Sequence, residues 1–409
     1  MSNYINVPFS TPDITEAEVN AVASVLRSAW ITTGAVTKKF ESELCKFLNV
    51  NKCACLNSQT ACSEMALRLL GVGEGDEVIV PAYTYTATAS VVCHVGATLK
   101  IVDSQKDNVQ IDYNALENAI TEKTKVVIPV DIAGLPCDYD KIFEIVEKKK
   151  SLFKPSNEIQ KAIGRVIVLA DTAHALGSKY KGKMVGSVAD FSAFSFHAVK
   201  NLTTAEGGAL TWKSINGISD EEIYKKIQLL SLHGQSKDAF QKNQLGTWEY
   251  DVIGTWYKCN MTDVAAAMGV SQLARYEQSL ARRKQIITAY DNAFKPLGVK
   301  VLNHYTSETE SSGHLYITKI KGITCEQRNE IIIEMAKKGI CCNVHYKPLP
   351  MLTAYKNLGF DIKDYPNAYD YFKSEITLPL HTCLTDEQVE YVIKTFTEIL
   401  NGYGINANN

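Results

Sequence analysis

The sequence predicts an α/β protein with a mostly parallel central sheet flanked by helices, followed by a smaller C-terminal α+β domain. Three observations carry this. Short, continuous apolar runs alternate with segments of helical periodicity over the first two thirds of the chain. That is the pattern of strands buried on both faces and linked by crossover helices. At 409 residues the chain is long enough for two domains. From about Asp263 its character changes to a long helical stretch with sparser strand-like pieces. The large domain is expected at 12–265 and the small one at 266–409, linked by a long helix, with 1–11 packing nearby.

The elements follow in order. Ser58 to Leu70 is helical: Ala61, Cys62, Met65, Ala66, Leu69 and Leu70 recur at helical spacing behind Ser58, a good N-cap. The run Gly71-Val72-Gly73-Glu74-Gly75-Asp76 lacks the last glycine and the strand-to-helix setting of a dinucleotide fingerprint, and reads as a turn. Strands are expected at Glu77–Val80, Leu99–Val102, Lys125–Val130, Arg165–Ala170, Phe191–Ser195 and Ala209–Trp212. Lys141 to Gly164 reads as a helix followed by a polar surface excursion through Lys148-Lys149-Lys150 and Pro155-Ser156-Asn157. Val264 to Ala289 reads as one long helical pattern. Leu315–Ile317 and Gly339–Tyr346 are strand-like pieces of the small domain. There is no internal repeat.

Composition narrows the functional classes. With 45% hydrophobic and 22% charged residues and a net charge of -2, nothing draws the chain to nucleic acid or an anionic membrane. The polar start, Met1 to Pro8, predicts no signal peptide, and no apolar run is long enough to span a bilayer. A cytoplasmic enzyme is expected. The 11 cysteines lack the spacing of a disulfide framework or a zinc site, and read as thiols buried as small hydrophobes.

Active sites of such sheets lie at the carboxyl ends of strands. Asp171 closes the apolar run Val166 to Ala170, and Lys200 follows Phe191–Ser195 within the apolar approach Phe194 to Val199, before the turn Thr203 to Gly208. A lysine in a dry pocket is an activated amine, because burial disfavours its charged form. An aspartate at a buried strand end suits a cationic ring nitrogen. The pair points to pyridoxal 5'-phosphate, held by Lys200 and tuned by Asp171. Asn57-Ser58-Gln59-Thr60-Ala61 opens a helix whose free amides suit the phosphate. Ser195 could add a hydroxyl, Tyr85 could stack on the ring, and His174 could bond its hydroxyl. His197 and His345 are candidate substrate contacts. No metal-ligand set and no nucleophile-elbow serine is present in the sequence.

Together these segments resemble the DegT/DnrJ-type sugar aminotransferases, enzymes of fold type I that use pyridoxal phosphate. The likeness rests on Ala29-Trp30-Ile31-Thr32-Thr33-Gly34, Asn57 to Ala61, Gly73 to Pro81, Asp171-Thr172-Ala173-His174-Ala175, the Lys200 segment, and Tyr257 to Asp263. The Trp-Ile-Thr-Thr-Gly and Ser-Phe-His-Ala-Val-Lys-Asn versions look most like members acting at C4 of a nucleotide-linked 4-keto sugar, such as those of the UDP-4-amino-4-deoxy-L-arabinose type. The resemblance implies that Lys200 carries the cofactor and shuttles protons, that Asp171 pairs with its ring nitrogen, and that Tyr85 stacks on it. His174 stands where many relatives have Gln. Thr60, Ala61 and Ser195 hold the phosphate, and Thr33 joins His197 and His345 on the substrate. Asn260 reaches the cofactor of a partner, which implies a homodimer with shared sites. Gln59 departs from the small residue usual there.

The expected activity is transfer of an amine, with glutamate as donor, to a nucleotide-linked keto sugar at C4, for amino-sugar and surface-polysaccharide biosynthesis. The alternatives are a C3-keto-sugar aminotransferase, a sugar dehydratase using the same cofactor, and a non-catalytic sensor. Dehydratase relatives carry His at the Lys200 position, so Lys200 argues against that reading.

Overall fold

The computed structural model describes residues 5–236 and 249–405. Its centre is a seven-stranded sheet of β1 (Cys53–Leu56), β2 (Glu77–Pro81), β3 (Thr98–Val102), β4 (Thr124–Val127), β5 (Ile167–Asp171), β8 (Phe191–Ser195) and β9 (Gly208–Trp212). A hairpin of β6 (Lys179–Tyr180) and β7 (Lys183–Met184) lies between β5 and β8 in the chain. The strand order is β1-β9-β8-β5-β4-β2-β3. Neighbours from β3 to β8 pair in parallel, while β9 runs antiparallel to both β8 and β1. The sheet is therefore mostly parallel, as the apolar runs require.

Alternation along the strands divides the core. Val78, Val80, Ile167 and Leu169 face one apolar layer, while Ile79, Val168 and Ala170 face the other. Helices cover both faces because both are apolar. A second sheet pairs β10 (Lys300–Val301), β12 (Tyr316–Lys319) and β13 (Glu375–Leu378), antiparallel throughout. It shares an apolar cluster with the helices Tyr276–Phe294, Cys325–Lys337 and Asp386–Gly402. Val7 joins that cluster and bridges to Ile340. The short strand β11 (Thr309–Glu310) extends the β6–β7 hairpin.

Four local expectations need correction. Strand β1 was not foreseen, although all its residues are buried. The helical pattern over Val264 to Ala289 is two helices, Asp263–Ala274 and Tyr276–Phe294, broken at Arg275. Arg275 leaves helical geometry (φ -118, ψ 12), and its guanidinium is gripped by Asp13 and Glu18. Gly339–Tyr346 is no strand, making only isolated bridges at Ile340 and Asn343. The excursion after Lys148 is more than a surface loop: Glu158–Ile163 forms a helix that buries Ile159 and Gln160. Gln160 Nε2 donates to Leu70 O at 2.7 Å, closing the C-terminal end of the helix Gln59–Leu69. The thiols also divide: Cys53, Cys55, Cys62, Cys137 and Cys259 are buried, but Cys93, Cys341 and Cys383 are exposed. Among the described residues no helix is long and apolar enough to cross a membrane.

Candidate active site

The carboxyl ends of β1, β2, β5 and β8 open on one cavity of about 390 Å³. Ser58, Gln59 and Thr60 line it beyond β1, Tyr85 beyond β2, Ala173 beyond β5, and Ser195, His197 and Lys200 at and beyond β8. A second cavity of about 200 Å³ adjoins it, lined by Phe9, Ser10, Asn343 and Leu380 among others. Val199, Lys200, His345 and Tyr346 line both. Lys200 thus stands between two spaces, half-buried. Burial pushes its amine down to about 8, with the charge of Asp171 opposing. An amine near that value is neutral in a useful fraction of molecules at physiological pH.

Asp171, the last residue of β5, is 4% exposed. Its carboxylate accepts from Thr88 Oγ1 at 2.7 Å and from the Ala173 amide at 3.1 Å. Because the Thr88 proton points at the carboxylate, Thr88 accepts in turn from Thr84, 2.8 Å away. Burial raises the Asp171 carboxyl above its usual range; Thr88, Ala173, Lys200 and Gln59 pull it back. Gln59, the unusual residue of the phosphate-loop candidate, is buried and also bonds Ser63 at 2.9 Å.

The helix Gln59–Leu69 starts beside β9 because Gly208 has no side chain. A Cβ there would lie 2.5 Å from Ser58 C, 2.6 Å from Gln59 N and 2.7 Å from Phe194 O, all backbone atoms that cannot swing aside. At that helix start, Ser58 Oγ accepts from the Ala61 amide at 3.1 Å. The amides of Gln59 and Thr60 find no acceptor among the described residues. Those two amides are free to meet an anion, while the Ala61 amide, expected to hold the phosphate, is met here by Ser58 Oγ. Gly208→Ala should destabilise the fold by about 1–3 kcal/mol in denaturant unfolding, because an added methyl must displace backbone. It should also weaken inorganic phosphate binding to the cofactor-free protein.

The other sequence candidates fall into two groups. Ser195, His197, His345 and Tyr85 line the cavity, Tyr85 being 59% exposed there. Its ring lies 5.9 Å from that of Tyr346. His174, Thr33 and Asn260 are not at the wall of either cavity. His174 Nδ1 accepts from the Ala133 amide at 3.2 Å, so its proton is on Nε2, directed at the Tyr346 hydroxyl 3.1 Å away. Tyr346, not His174, therefore meets the cavity. Thr33 is buried, its hydroxyl donating to Met261 O at 2.5 Å and accepting from Asn260. It does not face the substrate space of its own chain.

Sequence reasoning missed Thr88, Tyr346, Asn201 and His314. His314 packs against His174 at a tilt, with ring centroids 4.3 Å apart, and its Nδ1 meets Asn201 Oδ1 at 2.9 Å. Burial and the neighbouring Lys200 charge push His174 and His345 down, the latter to about 3. Burial, then the flanking His174 and Lys200, does the same to His314. Three neutral imidazoles thus surround the amine without adding positive charge. None of the missed residues has a local signal; only tertiary packing assembles them.

Comparison with known proteins gives a consistent answer. The family model described as the DegT/DnrJ/EryC1/StrS aminotransferase family matches residues 12–397. The spore coat polysaccharide biosynthesis protein SpsC of Bacillus subtilis strain 168 is 36% identical, over 97% of this chain and 97% of the relative. Spr1654 from Streptococcus pneumoniae, assigned as a sugar aminotransferase, is 58% identical in its PMP form, covering 97% of this chain and 100% of that one, with a TM-score of 0.95. Its PLP form is 56% identical with a TM-score of 0.94, covering 97% and 99%. Helicobacter pylori PseC, an aminotransferase of pseudoaminic acid biosynthesis, is 29% identical with a TM-score of 0.85, covering 97% and 100%.

Proposed function

Since the chain belongs to the DegT/DnrJ/EryC1/StrS aminotransferase family, we propose that it moves an amine from glutamate to C4 of a nucleotide-linked keto sugar. The product would be an amino sugar for polysaccharide biosynthesis, in line with the role of SpsC in spore coat polysaccharide and the assignment of Spr1654 as a sugar aminotransferase. The enzyme uses pyridoxal phosphate. The residues present fit it: two amides without acceptors, a glycine where a side chain would close the cradle, and a buried carboxylate held by Thr88. Gln59, Thr60 and Ser195 would hold the phosphate, Asp171 the ring nitrogen, and Tyr85 the ring face.

When bound, the cofactor supplies an aldehyde carbon that exchanges amines and a ring that spreads carbanion charge. The rest is the work of the chain. Neutral Lys200 Nζ takes the proton from the donor's Cα and returns it on the other side of the exchange. The wall of His345 and Tyr346 orients the donor and then the sugar against it. Binding energy from the remote nucleotide would hold the keto carbon in place. The observation carrying this reading is Lys200 at the wall of two adjoining cavities, where a dehydratase relative would have histidine, with the buried Asp171 carboxylate at the neighbouring strand end.

A cytoplasmic homodimer is part of the proposal. Asn260 does not line its own chain's cavity, which suits a residue serving a partner's site. Tyr250, Val252, Ile253, Trp256 and Tyr257, just before it, are exposed apolar side chains, a surface that suits a two-fold contact.

The test is direct. The purified protein is converted with glutamate to its amino form and offered nucleotide-linked 4-keto and 3-keto sugars in turn. Return of the aldehyde-form spectrum with a 4-keto sugar is the expected result. Return with 3-keto sugars alone moves the reaction to C3, and no conversion by glutamate removes the donor assignment.

A further inference from the structure

Glu375 is a buried carboxylate for which no cation lies within salt-bridge distance among the described residues. Such groups are rare and costly without a compensating role. Both oxygens are engaged. Oε2 accepts from the His345 amide at 2.9 Å, and Oε1 accepts from the Thr377 hydroxyl. The same Thr377 oxygen lies 3.0 Å from His345 Nδ1. Residues 375 and 377 share one face of β13, as alternate positions of a strand must. Phe9 stacks on His345 at 5.4 Å between ring centroids and fixes its plane. His345 Nε2 has no partner among the described residues, yet it is not a sealed, unsatisfied atom. It is open to the cavities that His345 lines beside Lys200.

We propose that Glu375 and Thr377 form a hydrogen-bond relay that sets the tautomer of His345, and with it the polarity of the side chain facing Lys200. With Glu375 ionised, Thr377 donates to the carboxylate and accepts from Nδ1–H, so Nε2 offers a lone pair. With Glu375 protonated, the carboxyl donates to Thr377, Thr377 donates to Nδ1, and Nε2 carries the proton. One proton gained at Glu375 thus converts an acceptor beside Lys200 into a donor, with no change in imidazole charge. Burial raises the Glu375 carboxyl to about 8, opposed by Thr377, the His345 amide and Arg328, so both states are accessible near physiological pH. The other groups facing it are Tyr83, Tyr371, Tyr346 and Cys342, all pushed up by burial and neutral in this range. Lys319, opposite on β12, is held by Asp107 and Asp370. Glu375 and Thr377 are positioning residues. Control of the tautomer is independent of any substrate; its effect on amine transfer rests on the function proposed above.

The experiment reads the tautomer directly. Full-length protein labelled with 15N at histidine, free of substrate, is titrated from about pH 6 to about pH 9.5 by long-range nitrogen–proton NMR, with His345 assigned by loss of its signals in His345→Asn. The wild type should move from the Nε2–H to the Nδ1–H form as pH rises. Glu375→Gln and Thr377→Val should each hold one form throughout, and Thr377→Ser should restore the change. A single tautomer in the wild type over the whole range overturns the relay, as does a change that persists in Glu375→Gln. The wild-type titration decides the matter even where a variant fails to fold. Because no sugar is present, the result is separate from the test of the acceptor.

Discussion

Lys200→Ala should lose amine transfer by about 10⁴-fold or more, since in the proposed mechanism it removes both the attacking amine and the proton carrier. The fold should survive, because Lys200 is half-buried at a cavity wall and the hydrogen bond its backbone amide donates to His197 O, 2.9 Å, does not depend on the side chain. Two measurements distinguish this from general damage. Borohydride treatment of the cofactor-loaded wild type should fix cofactor mass to the peptide containing Lys200, and the variant should show none. The rate at which cofactor-free wild type captures pyridoxal phosphate should rise with pH and level off above about 8, where burial has placed the amine. The sign follows from which form reacts: a depressed lysine is protonated below its pKa, and only the neutral form attacks. A rate that falls with pH in that range, or full transfer by the variant, would remove Lys200 from the chemistry.

The fold was legible where one periodicity dominated. The apolar runs at β2, β3, β5, β8 and β9 were read within a residue or two of their ends, because strands buried on both faces leave unbroken apolar text. Strand β1 was hidden because its run is only four residues long and carries no β-branched or aromatic side chain, so Cys53-Ala54-Cys55-Leu56 gives little strand signal. The break at Arg275 was invisible because the apolar period continues through it; only ion pairs with the distant Asp13 and Glu18 reveal it. The site divides in the same way. Lys200 and Asp171 stand out locally, as charged residues in apolar text at strand ends. Thr88, Tyr346 and the Glu375–Thr377 pair do not, since their roles exist only where separate elements meet. His174 differs from both: its position in the motif is clear, but its two ring-nitrogen contacts, with the Ala133 amide and the Tyr346 hydroxyl, exist only in the folded chain.

Asp171→Asn should have opposite effects on function and on stability, and that opposition separates a catalytic carboxylate from a structural one. The side chain keeps its shape but loses the charge that would hold a protonated ring nitrogen, so amine transfer should fall by about 10²–10³-fold. A turn-forming aspartate held by Thr88 and Ala173 would instead lose stability on this change, through broken hydrogen bonds. The electrostatics predict otherwise. Burial raises the Asp171 carboxyl in the folded state, with Lys200 opposing only in part. Between the unfolded and folded pKa values the folded protein binds more protons than the unfolded one, so stability must fall as pH rises through that window. Asparagine has no proton to lose and removes this fall. The cofactor-free variant should therefore melt at or above the wild-type temperature at pH 7, with the gap closing toward pH 4, while its affinity for pyridoxal phosphate drops. A variant that melts lower at both pH values and still transfers amine at the wild-type rate would make Asp171 a structural residue and leave the ring nitrogen without a partner in this cavity.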